Sequence, residues 1–190
     1  MRYSKSHKEE TRRKLLDSSR ALVKRGGFAS TGVDSLTSAV GLTSGAFYIH
    51  FPSKQALLEA MVQEEMDNTV AMLSAPEDGN LEDLTRAVGI YLGTSHAQHP
   101  EAGCVLPALG AEISRTPTEV RSIVESGLAK LHCSWAAILG ESDAAWSVIS
   151  QCVGALVIAR SVASEETRDE ILAANKRHIE RWVVWQLQQR

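Results

Sequence analysis

VDSLTSAVGLTSGAFYIHFPSK, residues 33–54, carries two short helical patterns separated by a glycine turn. Val33, Leu36 and Val40 recur at helical spacing and run into Gly41. A turn of about three residues follows, and a second helix starts near Thr43 or Ser44. Two short helices joined this way form a helix-turn-helix, in which the second helix can enter a DNA major groove. Gly41 supplies the backbone freedom of the turn, and the Thr43 hydroxyl is placed to cap the next helix. Small residues at that helix tip, Thr43, Ser44, Gly45 and Ala46, allow close approach to base edges. Tyr48, His50 and Lys54 bring hydroxyl, imidazole and ammonium groups suited to phosphate oxygens. Phe47 and Phe51 fall on the opposite face, toward a core.

The charge distribution agrees with that reading. The 190 residues carry a net charge of −3, yet residues 1–54 hold ten Lys/Arg against four Asp/Glu. A basic head on an acidic body concentrates phosphate attraction at one end. Arg2, Lys5 and Lys8 read as a ragged basic tail before the first helix, with a minor-groove arm as the alternative.

Outside this stretch the pattern is helical throughout, with about nine helices in all and no strand-like alternation. Ser6 with Glu9, and Thr31 with Asp34, read as capping boxes for the first and second helices. Ser53 caps a long fourth helix carrying Leu57, Leu58, Met61, Val62 and Met66. One face from Leu81 through Tyr91 to Ser95 forms the fifth, and His99 to Cys104 is a break before a short sixth. Thr116-Pro117-Thr118-Glu119 reads as a start signal, with Thr116 as cap. The seventh helix then carries Val120, Val124, Leu128, Leu131 and Trp135 as far as Gly140. The last two helices, near 142–163 and 165–189, carry apolar residues on more than one face. Such faces suit burial against both the body and a partner.

The order TRRKLL…GGFASTGVDSL…VGLTSGAFYIHFPSKQALL resembles the N-terminal domain of the tetracycline-repressor (TetR) family of bacterial regulators. Several independent spacings agree over roughly residues 9–63, including Gly-Phe after the first helix, Thr31, Gly-Leu-Thr and Tyr48 to Lys54. The resemblance implies an all-α protein with a three-helix DNA-binding head at 1–53. An effector-binding and dimerisation body follows at 54–190. It assigns DNA contact to Thr31, Thr43, Ser44, Gly45, Ala46, Tyr48, His50 and Lys54. It further implies a homodimer through the last two helices, bound to a palindromic double-stranded operator. A small effector would bind in a pocket enclosed by helices four to seven, with Met66, Tyr91, His96, Cys104, Leu109, Leu128 and Trp135 as candidate lining. Such aromatic and sulfur-bearing walls favour a flat, largely apolar molecule. A repressor is the leading expectation, with activation left open.

Other classes have little to stand on. P-loop, GxSxG, HExxH and paired Glu-x-x-His motifs are all missing, so no enzyme, cofactor or metal site is expected. Three widely spaced cysteines form no CxxC pair, and the polar start is no signal peptide, so a reduced cytoplasmic protein is expected, with no membrane contact. Two alternatives remain: a thiol- or electrophile-responsive regulator acting through Cys104 at a helix start, or a body that docks a protein. His96 and His99 with Glu112 would make only a weak metal site.

Overall fold

The computed structural model describes residues 5–188. Among these it contains ten α-helices, one 3-10 turn and no strand. They are α1 (Lys5–Gly26), α2 (Val33–Ser38), α3 (Ser44–His50), α4 (Lys54–Leu73), α5 (Leu81–Tyr91) and α6 (Thr94–Gln98). The 3-10 turn Pro100–Ala102 follows, then α7 (Val105–Ile113), α8 (Thr118–Leu139), α9 (Ser142–Ser161) and α10 (Glu165–Gln188).

Local chemistry sets most boundaries. α1 closes on Gly27 at φ +86° and α8 on Gly140 at φ +68°, left-handed positions that glycine occupies without steric penalty. The Ser53 hydroxyl accepts the Ala56 N–H at 3.0 Å to start α4. Asn80 and Asp83 form a reciprocal capping box for α5.

Two expected caps are different. Thr31 does not cap α2, whose N-cap is Gly32; its hydroxyl donates back to the Gly27 carbonyl at 2.6 Å. Thr116 likewise donates to the Ile113 carbonyl at 2.7 Å, leaving Pro117 as the N-cap of α8. Hydroxyls often prefer a carbonyl three or four residues back to the helix ahead. The expected fifth helix is also split. After Tyr91 the chain breaks at Gly93, and Ser95 falls on the separate helix α6. His96 supplies the reason, because its Nδ1 pairs with the Tyr91 carbonyl at 2.7 Å, filling an acceptor that a continuing helix would use.

Packing builds two buried clusters. One gathers Leu15, Leu36, Phe47, Phe51, Leu58 and Met61 with Leu109 and Val120, so the core under the helix-turn-helix continues through α4 into α7 and α8. The other lies among α5, α8, α9 and α10, around Leu84, Trp135, Leu156 and Ile179. Gly127 on α8 admits α4, since a Cβ there would meet the Met66 Cε at 2.6 Å. α9 is long and apolar enough to cross a membrane by length and composition alone. Ala145, Val148, Cys152, Leu156 and Ala159 on it are buried in the protein, however, and it packs against both α8 and α10.

Candidate functional site

The tip of α3 is built as a presentation surface. Gly41 at φ +69° turns the chain, and the Leu42 N–H returns to the Thr37 carbonyl at 2.9 Å. Thr43 then caps α3, its hydroxyl accepting the Ala46 N–H at 3.3 Å. Phe47 and Phe51 are fully buried, which fixes the roll of the short helix. Rolled that way, it exposes Thr43, Gly45 and Tyr48 together, with Tyr48 57% exposed. Ser44 is half-buried and its hydroxyl donates to the Asp34 carboxylate on α2, linking the two helices.

The structure separates the remaining predicted DNA contacts. Thr31 is buried, with its hydroxyl turned into the loop after α1 rather than onto the exposed face. Lys54 donates to the Phe28 carbonyl at 2.5 Å and lies over the Phe28 ring at 4.2 Å, so one of its three donors is spent holding that loop. His50 is half-buried and its Nδ1 has no partner. Burial, then the neighbouring Lys8 and Arg12 charges, pushes its pKa below the usual histidine value, which keeps the ring neutral at pH 7.

A cleft of about 210 Å³ beside α3 is lined by Lys8, Thr11, Leu42, Ala46, Ile49 and His50, together with His7. Lys8 therefore belongs to α1 and this cleft, not to a loose tail; Arg2 and the side chain of Lys5 lie outside the described residues. Ile49, 63% exposed, and Arg12, stacked 4.6 Å over Phe51, are contributions that the sequence reading missed. An apolar residue on the exposed face of a seven-residue helix gives no periodic signal.

A polar clamp joins this head to the body. The side chain of Lys24 on α1 is fully buried and pairs with Glu65 on α4. Its ammonium also donates to the Glu101 carbonyl at 3.1 Å and the Gly103 carbonyl at 2.5 Å. Burial lowers the Lys24 pKa, and Glu65 opposes that shift. Arg20 adds contacts to Glu65 at 2.9 Å and Glu64 at 2.8 Å. Arg25 meets Glu101 at 2.8 Å, holding that carboxyl down at about 2. On α7, Glu112 accepts the backbone N–H groups of Phe28 and Ala29. That carboxylate is committed to the loop after α1, and no metal-binding group of three or more His, Cys, Asp or Glu occurs among the described residues.

The body holds an apolar interior cavity bounded by α4, α5, α7, α8 and α9. Five of the seven candidates line it: Met66, Tyr91, Cys104, Leu128 and Trp135. Leu109 is buried instead in the cluster beneath the head. His96 lines a separate cleft with His99, Ile90 and Met72, and both its ring nitrogens are engaged, Nε2 by the Cys104 N–H at 3.0 Å. The cavity is small, with about 20 Å³ of free volume, room for roughly one water. Trp135 is fixed in its wall by an Nε1–H bond to the Leu73 carbonyl at 2.9 Å. Thr69 and Cys104 also line a surface cleft between α4 and the 3-10 turn, so that cleft adjoins the interior.

Comparison with known proteins bears on the head most strongly. Residues 15–61 match the model for bacterial regulatory proteins of the tetR family. The regulator UidR of Escherichia coli is 27% identical over 71 residues, 37% of this chain and 36% of that protein. The repressor NemR of Escherichia coli is 28% identical over 128 residues, 65% of this chain and 64% of that one. This chain thus spans about a third and just under two thirds of those relatives' lengths. The fold as a whole is shared with a TetR regulator from Chloroflexus aurantiacus, at TM-score 0.75, 20% identity and 92% and 96% coverage. It is shared equally with the reduced form of Escherichia coli NemR, at TM-score 0.73, 21% identity and 90% and 97% coverage.

Proposed function

Because the chain belongs to the TetR family of bacterial regulatory proteins, we propose that it is a transcriptional repressor that grips a palindromic operator as a homodimer and releases it on binding a small effector. The head is residues 1–53 and the body 54–190. The observation that carries the reading is the exposed tip of α3 on a basic head that Lys24 and Glu112 join to the body. Thr43, Gly45 and Ala46 read bases, Ser44 steadies the tip through Asp34, and Tyr48, His50 and Lys54 meet phosphates.

A single head covers too few base pairs for useful discrimination, whereas a twofold dimer reads two half-sites. The outer faces of α9 and α10 support the dimer. Trp146, Val157, Ile158, Val184 and Trp185 are exposed there, and Gly154 opens onto empty space, where a partner helix can approach closely. An effector acts only through its differential affinity for two head spacings. α4 is the lever, since it begins under the head and also walls the cavity.

The test is selection of binding sites from random duplexes, followed by sedimentation of the complex. A palindromic consensus bound by two protomers is the expected result; an asymmetric site bound by one chain would overturn the dimer reading. Two specific observations favour second readings. The small cavity suits a body that docks a protein partner, and the position of Cys104 between interior and surface cleft suits a thiol-responsive regulator. Oxidant-insensitive DNA binding would discard the latter.

A further inference from the structure

The exposed face of α3 does not end at its tip. Side chains four apart on a helix lie on one face, so Ile49 stands one turn behind Gly45 and close to Ala46. Phe47 within α3 and Phe51 just after it are buried and set the roll of the helix. That roll leaves Ile49 63% exposed, and neither buried cluster of the described residues takes it in.

Ile49 does not stand alone. With Leu42 and Ala46 it lines the cleft of about 210 Å³ between α3 and the start of α1, to which Lys8 and His50 bring polar groups. The Thr11 hydroxyl in the same cleft is committed to the His7 carbonyl at 2.8 Å. Three apolar side chains therefore sit beside a cation, next to the exposed Gly45. A DNA major groove presents the complementary arrangement, with base edges on its floor and phosphates along its rim.

Base edges differ in what they offer an isoleucine. Adenine, guanine and cytosine present amino, carbonyl or ring-nitrogen groups, which Ile49 would strip of water without replacing the hydrogen bond. Thymine adds a 5-methyl group, the apolar feature of the groove. Contact between that methyl and Ile49 removes apolar surface from water on both sides. Resting on the reading of α3 as the recognition helix, we propose that Ile49 is a specificity-determining residue that, with Ala46, takes the 5-methyl group of a thymine in each operator half-site. Lys8 lies against the neighbouring phosphate and holds the helix at that depth. Ile49 selects in two ways, since it favours thymine and leaves the polar edge of any other base unpaired.

The experiment starts from the duplex that the full chain selects out of random sequence. Each thymine of one half-site, together with its symmetry mate, is replaced by deoxyuridine, which removes the methyl and keeps every hydrogen-bonding group. Affinity is measured for the parent and for Ile49→Ala. At one thymine position the parent should bind about tenfold more weakly without the two methyls. At that position Ile49→Ala should bind the thymine and deoxyuridine duplexes within about twofold of each other, the non-additivity that a direct contact requires. Its melting temperature should match the parent's, because the side chain is exposed and alanine favours a helix. A methyl penalty that persists in Ile49→Ala, no penalty at any position, or a consensus without thymine would overturn the assignment and leave the DNA-binding reading intact. If sedimentation shows that Ile49→Ala binds weakly because two chains no longer assemble on the duplex, Ile49 contacts protein and the assignment also fails. A chain that selects no sequence at all would overturn the DNA-binding reading and this inference together.

Discussion

The Glu112 carboxylate on α7 accepts the backbone N–H of Ala29 at 2.8 Å, so a helix of the body caps the loop that follows the first helix of the head. Its other oxygen takes the Phe28 N–H at 3.1 Å. Gly27, at φ +86°, favours glycine for a second reason, because a Cβ would lie 2.9 Å from Glu112 Oε1 and push that carboxylate aside. Head and body are thus joined by directional bonds in addition to a shared apolar core.

Glu112→Ala should release both amides. Loss of two hydrogen bonds to a charged acceptor, partly replaced by water, lowers stability by about 1–3 kcal/mol. Hydrogen exchange is the direct measurement: the Phe28 and Ala29 amides should lose protection while those within α8 keep theirs. Uniform loss across the protein would show that Glu112 supports global folding instead.

Lys24→Met should be the more damaging change, since it strips Glu65 of a fully buried partner. Breaking one side of a buried pair typically destabilises by about 3–5 kcal/mol. The double variant Lys24→Met with Glu65→Leu should recover part of that loss, because the buried carboxylate is then removed and Arg20 keeps Glu64 as its partner. Chemical denaturation of the three proteins checks the pattern. A double variant no more stable than Lys24→Met would mean that the carbonyls of Glu101 and Gly103, not Glu65, are what Lys24 satisfies.

Lys54→Ala tests a shared duty. Loss of the bond to Phe28 and of the ring contact should lower stability by about 1 kcal/mol. Loss of the phosphate contact should make the salt dependence of operator binding shallower by about one unit per contact removed. A lower melting temperature with an unchanged slope would assign Lys54 wholly to the loop.

Gly45→Leu addresses base reading. A Cβ at Gly45 would meet nothing closer than the Thr43 hydroxyl at 3.9 Å, so the substitution is compatible with folding. The side chain instead projects from the exposed tip and should hold α3 out of the groove. Normal thermal unfolding with loss of specific footprinting is the expected pair of results. Retention of the same footprint would remove α3 from the role of recognition helix.

Trp135→Leu reports on the cavity wall and on α4 together. The substitution leaves a void and frees the Leu73 carbonyl at the end of α4, so a loss of about 3 kcal/mol is expected. Ligand affinity should fall while operator affinity of the folded, ligand-free protein stays near that of the parent, since the residues proposed to contact DNA belong to α3 and the start of α4, away from the cavity wall. Titrating the protein–operator complex with effector checks this; release at the parent's concentration would exclude Trp135 from the site.

The helix-turn-helix was readable because its determinants are local. Gly41, the Thr43 cap and the spacing of Phe47 and Phe51 act within a dozen residues, where periodicity and turn chemistry decide conformation. Caps were less secure even so. Thr31 and Thr116 each have two competing acceptors, and only the folded backbone shows that the carbonyl behind wins. The split at Gly93 was hidden for a similar reason, since the apolar face runs on while His96 takes the Tyr91 carbonyl.

By itself, then, the sequence determined the helical class, the order of the main helices and the location of the helix-turn-helix. These follow from hydrophobic period and from short-range hydrogen bonding. Tertiary structure alone decided that Lys24 meets Glu65, 41 residues away, and that Glu112 reaches the loop after α1 across 83. It also decided that Leu109 and His96 leave the cavity while Tyr91 stays in its wall. Such pairings depend on how the helices cross and on which rotamers their close packing permits, and no spacing along the chain encodes either.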